Sequence, residues 1–550
     1  MSLTFQQLND LRFTALESAK EEWAKTSSRL AGYGDRVDSH MRRPLHDWQG
    51  GAADTAQARM KRLNENFRFA SQESALIQTT IDGAVTELRE MQKLLHALLD
   101  RITRAGFKVT SNGEVVDAEE GGAPGNDADP EAQKREEIRA IRQQEIFDAV
   151  RAAVEVDARY CLALSRLSVE RGLKVDGLES QRDASLISKA AVRGIGLDGA
   201  KAPAKGTDPK KVHDWWNGLS EEEREEQLAL NPSVIGNLDG IPSRTRDKAN
   251  RVNLDRLIEM YPEPVPDGVK ERHDGFKAIR ERLIGDATHD PEPLLLGISP
   301  EGQGRAILSY GDPDTADNVA AYVPGLNTTL ADVGDEDGDR AKHVGESAAD
   351  GKHKTASMVW LGYDTPQTGS WTPHDYEVAG EARGKKGGAD FGHFLDGIQA
   401  THQGERPHVT AIGHSYGSFT LGQAAQREGG IPADDIILVG SPGTGAQKAE
   451  ELGVGADHVW TGAADSDLVT HAPSDAEKGF GIAGHLWDPH ELHFGQDPAS
   501  EEFGGRRFGV YPGWNPSSHS DYFDSGSESL DNIGRIVSGR QNEVTIEERR

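Results

Sequence analysis

The fold of this chain is indicated most directly by Val409-Thr-Ala-Ile-Gly-His-Ser-Tyr-Gly-Ser418. Its first four residues form an apolar run of strand length, and the small residues at 418–426 are typical of a helix. Between them, Gly413-His-Ser-Tyr-Gly417 fits the Gly-x-Ser-x-Gly pattern of a sharp strand-to-helix turn. Flanking glycines avoid backbone clashes at such a turn, and the helix amino terminus stabilises negative charge beside the serine. We therefore predict that Ser415 is a catalytic nucleophile.

A mostly parallel sheet flanked by helices is predicted around this turn. From Leu294 onward, short apolar runs bounded by Gly, Pro and Asp alternate with helical segments, as in strands joined by crossover helices. The first two runs are only a few residues apart, so we expect them to pair as an antiparallel edge hairpin. With the serine turn, this pattern predicts an α/β-hydrolase fold. The runs are residues 294–298, 305–309, 319–323, 357–361, 409–412, 436–439 and 459–461.

The acid of a catalytic triad is expected after the strand at 459–461. In this fold the triad residues follow one another in the order serine, acid, histidine. Asp465 and Asp467 both come after that strand. We favour Asp467, because the Leu-Val pair after it can anchor the loop in the core, and Asp465 is the second choice. For either residue, the alternative role is a turn or a helix cap.

The histidine is expected on a loop after the last strand, where it can lie over Ser415. His519 fits, because it occupies a polar loop between an expected last strand at 508–511 and a final helix at 530–537. Other downstream histidines are predicted to line a Gly- and His-rich excursion at 472–507, a candidate lid or substrate wall. These histidines are His471, His485, His490 and His493.

Stabilisation of an oxyanion requires two backbone amides. One is expected at Tyr416, directly after the nucleophile, and the other at Leu326 in the loop Val323-Pro-Gly-Leu-Asn-Thr328. Ser415 would then attack an acyl carbonyl with His519 as base, and water would release the acyl-enzyme. The sequence thus predicts a serine hydrolase whose substrate contains an ester or a related, lipid-like acyl bond. This chemistry calls for neither a cofactor nor a metal ion.

The composition restricts the partners and the compartment. A formal net charge of −30 argues against nucleic acid, because phosphate binding needs concentrated Lys and Arg. The single cysteine, Cys161, excludes an intramolecular disulfide, and we expect its thiol to be buried in an apolar helix. No run approaches the roughly 20 apolar residues of a transmembrane span. The amino terminus also lacks an ordinary signal peptide, so we expect a cytoplasmic protein, or one exported without such a peptide.

Long helices are predicted in the amino-terminal part. Apolar residues repeat at steps of three and four from Met60 to Ile102, which forms a heptad seam that requires a partner helix. A second helix at about 5–37 and a third at 131–167 can supply that partner within the chain. Self-association or a separate helical partner is the alternative. The expected divisions are a helical hairpin at 1–116, a linker at 117–130, a helical segment at 131–196, a linker at 197–211, a helical lead-in at 212–290, a catalytic domain at 291–540 and a tail at 541–550.

Four stretches resemble an actinobacterial α/β-hydrolase family of unknown function. The resemblance covers roughly residues 212–539 and implies the hydrolase fold with a triad that matches Ser415, Asp467 and His519. It implies no substrate. The stretches are Asp214-Trp-Trp-Asn-Gly-Leu-Ser220, Gly236-Asn-Leu-Asp-Gly-Ile-Pro-Ser-Arg-Thr-Arg-Asp-Lys-Ala-Asn250, Asn318-Val-Ala-Ala-Tyr-Val-Pro-Gly325 and Gly413-His-Ser-Tyr-Gly-Ser418.

The amino-terminal hairpin resembles the Trp-x-Gly helical-hairpin proteins that are exported by type VII secretion. Trp48-Gln-Gly50 lies where their signature turn would be. Their companion Tyr-x-x-x-Asp/Glu signal is not evident after the second helix. The resemblance implies an alternative function, in which a secretion-associated or partner-binding protein uses the hydrolase fold as a scaffold.

Overall fold

The computed structural model describes most of the chain, including Ser415, Asp465, Asp467 and His519. The four other downstream histidines and most of the predicted excursion lie outside the described residues. The described residues are 3–42, 48–118, 130–167, 202–260, 265, 267–367, 381–465, 467, 469, 494–510 and 519–549.

A long antiparallel helical pair forms the amino-terminal region. The pairing is antiparallel because Lys20 contacts Asp82 at 2.8 Å, whereas Ser27, further along, donates to the carbonyl of Ser71 at 2.8 Å. Trp48-Gln-Gly50 lies in the connection between the two long helices. The helices are α1 (Phe5–Asn9), α2 (Thr14–Arg36) and α3 (Gly51–Arg104).

The heptad seam of α3 is buried within the chain over most of its length. Ile81 and Leu88 pack with Phe13 near the start of α2 and with Tyr160 of a further helix, α4 (Pro130–Arg166). Ser74, the polar position in the seam, is buried and donates to the carbonyl of Ala70 at 2.8 Å, which satisfies its hydroxyl. The chain therefore supplies its own partner helices from about Ala70 to Ile102.

Two features of this region differ from the sequence predictions. A small antiparallel hairpin, β1 (Phe107–Val109) and β2 (Val115–Asp117), follows α3 where no strand was expected. Strands of three residues are too short to show an alternating pattern. The prediction for Cys161 was also wrong, because its side chain is exposed on α4.

The helical lead-in packs along the edge of the large sheet. Asn237 accepts from the amide of Ile298 at 2.9 Å and donates to its carbonyl at 2.9 Å, while Asn250 donates to Leu295 at 3.1 Å. These asparagines belong to the motif at 236–250, which therefore joins the lead-in to the first strand of the sheet. The helices are α5 (Pro209–Gly218), α6 (Glu221–Leu230), α7 (Pro232–Ile235), α8 (Ser243–Glu259) and α9 (Asp267–Gly285).

The predicted sheet is confirmed and has eight strands within the described residues, in the order β10-β9-β8-β7-β5-β6-β4-β3. As predicted, the first two strands pair antiparallel at one edge; β4 also runs antiparallel to β6, and the other pairs are parallel. The carboxyl ends of β5, β7, β8 and β9 therefore share one edge. The strands are β3 (Pro293–Ser299), β4 (Arg305–Tyr310), β5 (Asn318–Val323), β6 (Thr355–Leu361), β7 (His408–His414), β8 (Asp435–Val439), β9 (Val459–Gly462) and β10 (Arg506–Arg507).

Helices cover both faces of the sheet, and the strands are therefore buried on both sides. One apolar cluster contains Phe391 and Phe419 from two helices of one face. The other cluster contains Val344 and Ile533 from the opposite face. It extends to the carboxyl-terminal part of α3 and the middle of α4. The covering helices are α10 (Leu330–Gly334), α11 (Glu336–Ala348), α12 (Glu381–Thr401), α13 (Tyr416–Ala425) and α14 (Glu528–Val537).

The last strand differs from the expected range of 508–511. Strand β10 consists of Arg506 and Arg507, which pair with β9, and Phe508 instead forms an isolated bridge to Ile546. A two-residue strand with charged side chains contains no apolar run. The apolar residues that follow it therefore led to a predicted strand that begins two residues too late. Within the described residues, no helix combines the length and the hydropathy that crossing a lipid bilayer would need.

Candidate active site

Ser415 lies on the turn between β7 and α13 in a strained backbone conformation. Its φ is 56° and its ψ is −133°, and Asn327 is the other non-glycine residue with positive φ in the described part of the chain. Such conformations cost about 1–3 kcal/mol and persist only where the surroundings enforce them. One restraint is a hydrogen bond from the amide of Ser415 to the carbonyl of Val439 at the end of β8, 3.0 Å long.

Neighbouring backbone explains the glycines on either side of Ser415. A β-carbon added at Gly413 would lie 2.7 Å from the α-carbon of Ser418. At Gly417 it would lie 2.2 Å from the carbonyl oxygen of Val323 on β5. Each distance is too short for a side chain, so the turn has the geometry that the Gly-x-Ser-x-Gly pattern predicted.

Asp467 and His519 form a hydrogen-bonded pair at the same edge of the sheet. The Nδ1 atom of His519 lies 3.0 Å from Oδ2 and 3.1 Å from Oδ1 of Asp467. Tyr522 donates its hydroxyl to Oδ2 of Asp467 at 2.8 Å. Burial by itself would raise the pKa of Asp467, but the hydrogen bonds from His519 and Tyr522 outweigh it and hold that pKa below its usual value. Asp467 is therefore an anion beside the imidazole.

Asp465 points elsewhere. Its carboxylate contacts Arg507 of β10 at 3.2 Å, and 83% of its side chain is exposed. The aspartate that faces His519 is therefore Asp467.

His519 lies above the ends of β7 and β8, next to the serine turn. Its ring centre is 4.8 Å from that of His414, the residue directly before Ser415. A β-carbon added at Gly440, just after β8, would lie 3.0 Å from Cε1 of His519. The structure thus places the Asp467–His519 pair, from the loops after β9 and β10, next to the turn that carries Ser415.

The loop after β5, which was predicted to supply an oxyanion donor at Leu326, passes directly beside the serine. A β-carbon at Gly325 would lie 2.6 Å from the β-carbon of Ser415. Tyr363 donates its hydroxyl to the carbonyl of Pro324 at 2.7 Å, and the amide of Asn327 donates to the carbonyl of Pro366 at 2.9 Å. The loop is therefore fixed from the β6 side. Sequence reasoning missed Gly325 and Tyr363 because neither role has a local pattern.

The comparisons with known proteins agree with this fold. A family model described as "Alpha/beta hydrolase" matches residues 299–476. Uncharacterized protein Rv2079 of Mycobacterium tuberculosis is 30% identical over 458 residues, which cover 73% of this chain and 68% of the relative. The chain belongs to the α/β-hydrolase family. This membership supports hydrolase activity in general.

Shorter relatives match part of this α/β hydrolase. Uncharacterized proteins Rv0963c of Mycobacterium tuberculosis and Mb0988c of Mycobacterium bovis are each 34% identical over 199 residues, which are 34% of this chain and 69% of each relative. No solved structure matches the chain significantly. The names of these relatives assign no substrate.

Aromatic rings pack around Tyr416, the residue directly after Ser415. The ring of Tyr416 stacks on that of Tyr363 with centres 6.4 Å apart and contacts Phe419 and Phe494 at 5.7 and 5.9 Å. Phe494 belongs to the excursion that the sequence suggested as a lid or substrate wall, and its carbonyl accepts from the amide of Gly445 at 2.6 Å. The described end of that excursion therefore packs against α13, the helix that begins directly after Ser415.

His414 is a further residue that sequence reasoning did not assign. It occupies the variable position before the serine, and it is 5% exposed. Its Nε2 atom lies 2.7 Å from the carbonyl oxygen of His519. The pattern around Ser415 made the position visible, but a contact between residues 105 positions apart has no signal in a single sequence.

Proposed function

We propose that this α/β hydrolase is a serine hydrolase that cleaves an ester or a related acyl bond. Ser415 is the nucleophile, His519 the general base and Asp467 the carboxylate that orients the base. The observation that carries the proposal is the hydrogen bond between buried Asp467 and half-buried His519, next to a serine with a φ of 56°. An imidazole paired with a carboxylate and placed next to a strained serine is the arrangement used for nucleophilic acyl transfer.

The proposed reaction proceeds through an acyl-enzyme. As Oγ of Ser415 bonds to the acyl carbon, its proton moves to Nε2 of His519 and the carbonyl oxygen becomes an oxyanion. The amides of Tyr416 and Leu326 donate to that oxyanion. The bond to the leaving oxygen then breaks as His519 returns the proton to it. Water deprotonated by His519 attacks the acyl-enzyme in the same way and frees Ser415.

Two observations support Asp467 over Asp465 as the acid. Asp467 is buried and accepts from both His519 and Tyr522, whereas Asp465 is exposed and pairs with Arg507. A buried carboxylate interacts with the imidazolium through a medium of lower effective dielectric constant, so it stabilises the charge that forms during attack more strongly.

Covalent labelling with a fluorophosphonate probe tests this proposal. We expect wild-type protein to be labelled, Ser415→Ala to be unlabelled and His519→Ala to react about 10²–10⁴-fold more slowly. Asp467→Asn should lose about tenfold or more, because the amide no longer stabilises the imidazolium.

Asp465→Asn is the matched control, two positions away on the same loop, and should label at the wild-type rate. Circular dichroism verifies that each variant is folded. Labelling that persists in Ser415→Ala, or folded wild type that resists even a small fluorophosphonate, would contradict the proposal. A panel of aryl esters of increasing acyl length then identifies the preferred substrate.

A second candidate function is suggested by the tip of the helical hairpin. The seam is buried inside the chain beyond about Ala70, but the tip leaves large apolar side chains in solvent. We propose that this tip binds a helical partner, as a protein handled by type VII secretion would, and that the chain is exported by that route. The exposed residues are Tyr33, Met41, Trp48 and Leu63, with 37–51% of each exposed.

Export from a mycobacterial host tests this second candidate. The double variant Trp48→Ser/Leu63→Ser should be lost from the culture filtrate while its fluorophosphonate labelling in lysate stays unchanged. Leu94→Ser, equally apolar and 60% exposed on the same helix but far from the tip, should be exported normally. Wild type confined to the cytoplasm would rule out this role and leave the hydrolase proposal standing.

A further inference from the structure

We propose that His414 is a positioning residue that fixes the proposed base by donating a hydrogen bond to the backbone of His519. This inference rests on the triad proposed above. The Nε2 atom of His414 lies 2.7 Å from the carbonyl oxygen of His519, so the residue before the nucleophile is tied directly to the base's own peptide group.

The bond has a defined direction, because a carbonyl oxygen can only accept. Nε2 of His414 must therefore carry the proton, and Nδ1 must be without one in the neutral ring. Burial lowers the pKa of His414 well below 6.5, and the nearby His519 and Arg340 lower it further. A neutral His414 with its proton on Nε2 matches the hydrogen bond that the geometry requires.

Aromatic rings from the sheet and from the turn after His519 surround His414. The ring of Phe523 meets it edge to face, with centres 5.8 Å apart and planes at 88°. Tyr322 of β5 lies 6.5 Å away on another side, and Tyr522 lies at 6.3 Å. The charged and titratable groups that face it are His519 and Asp467 from the two loops, Tyr322 from the sheet, Tyr522 from the turn after His519 and Arg340 from α11.

With this bond, His519 is held at two points on opposite ends of the residue. Asp467 binds the imidazole at Nδ1, and His414 binds the main-chain carbonyl. Tyr522 in turn donates to Asp467 and accepts from the amide of Ala464 at 3.0 Å, which anchors the acid. Without the bond from His414, the peptide of His519 can rotate about the remaining contact and carry Nε2 of His519 away from Ser415. A displacement of about 1 Å at a reacting atom can cost about 10²-fold in rate.

Two substitutions separate the hydrogen bond from the packing. His414→Gln keeps a donor, because the amide nitrogen of glutamine reaches about as far as Nε2 of histidine. His414→Leu has a comparable volume but no donor. In the full-length chain, we expect the rate constant for fluorophosphonate labelling to fall about tenfold or more in His414→Leu and to stay within about threefold of wild type in His414→Gln.

Rescue by glutamine distinguishes positioning from general loss of structure, and thermal unfolding of all three proteins verifies that each is folded. Labelling of His414→Leu at the wild-type rate would overturn the inference. Equal impairment of both variants would also overturn it, because the donor would then make no difference.

Hydrogen–deuterium exchange supplies a readout that does not depend on labelling. Backbone amides at 519–524 should exchange faster in His414→Leu than in wild type and His414→Gln, since the loop loses its link to β7. If the fluorophosphonate does not label the wild type, the hydrolase proposal fails. The exchange measurement still tests whether the hydrogen bond from His414 holds the loop. Unchanged exchange in His414→Leu would show that the bond does not hold the loop.

Discussion

Single residues around Ser415 are constrained by how closely neighbouring backbone approaches them. Gly325 lies outside the Gly-x-Ser-x-Gly pattern but faces Ser415 itself, since a β-carbon there would lie 2.6 Å from Cβ and 3.1 Å from Oγ of Ser415. The same atom would lie 2.7 Å from the carbonyl oxygen of His414. Neither the serine nor the strand end can move aside without losing the turn, so the loop needs glycine here for space.

Gly325→Ala should therefore impair the site while leaving the rest of the fold intact. The methyl group displaces either Ser415 or the loop that carries Leu326, so we expect labelling to slow by about tenfold or more. Gly285→Ala is the matched control, because a β-carbon at the end of α9 meets nothing within 4 Å. The explanation fails if both variants label at the wild-type rate.

The buried, neutral His414 also predicts a dependence of stability on pH. Its folded-state pKa is held well below the unfolded value of 6.5, chiefly by burial. Below pH 6.5, His414 therefore binds a proton in the unfolded chain but stays neutral in the folded chain. The free energy of unfolding falls as the pH falls below 6.5, and His414 has no such effect well above pH 6.5.

Urea unfolding at pH 7 and at pH 5 measures this effect. The wild-type free energy of unfolding should decline relative to that of His414→Gln, with a slope that approaches about 1.4 kcal/mol per pH unit. Parallel pH profiles for the two proteins would contradict a neutral His414.

Among the elements, α11 packs behind the candidate site and contributes the buried ion pair of Asp337 and Arg340. Asp337 accepts from the hydroxyl of Tyr322 on β5 at 2.8 Å and from Arg340 at 2.6 Å. Its side chain is 1% exposed and that of Arg340 is 15% exposed. Arg340 also lies over the ring of Phe523, which packs on His414. The amino-terminal turn of α11 thus fixes the strand and the aromatic residues that surround His414.

Removal of the buried charge should destabilise the protein. Asp337→Asn leaves Arg340 without its main buried partner, so we expect the free energy of unfolding to fall by about 3–5 kcal/mol. Glu336→Gln is the matched control, because Glu336 faces the same arginine at 3.6 Å from an exposed position and should change stability by about 0.5 kcal/mol or less. Equal effects of the two substitutions would show that burial does not set the strength of this pair.

For the molecule as a whole, the amino-terminal helices share an apolar core with the hydrolase sheet. Phe147 of α4 is 2% exposed and belongs to the same cluster as Phe276 of α9. The guanidinium of Arg272 lies 5.1 Å from the ring centre of Phe147 and donates to the carbonyls of Pro300 and Gly302, at 2.9 Å each. These contacts join α4, α9 and the β3–β4 connection into one packed unit.

Shortening the Phe147 side chain at this junction should destabilise the whole chain. Phe147→Ala removes a buried ring, and we expect a loss of about 3–5 kcal/mol in the main urea-unfolding transition. Ile141→Ala on the same helix is the control, since Ile141 is 51% exposed and should have little effect. A separate early transition confined to the amino-terminal helices in Phe147→Ala would indicate that the helical region unfolds independently.

The sequence by itself determined the fold class, the edge hairpin of β3 and β4, and the position of the turn at Ser415. Each depends on local patterns, because a run of apolar residues fixes a buried strand and glycines fix a tight turn. The long helices of the amino-terminal region were predictable for the same reason, since a heptad seam extends over many residues.

Only the tertiary structure decided which aspartate faces His519, because Asp465 and Asp467 are two positions apart and equally compatible with the chain order. It also decided that Asp337, in an acidic stretch, is buried beneath the site, and that His414 binds the peptide of His519. These contacts join residues from different strands and loops. They form only when the sheet brings the ends of its strands together, and for that reason no spacing along one sequence encodes them.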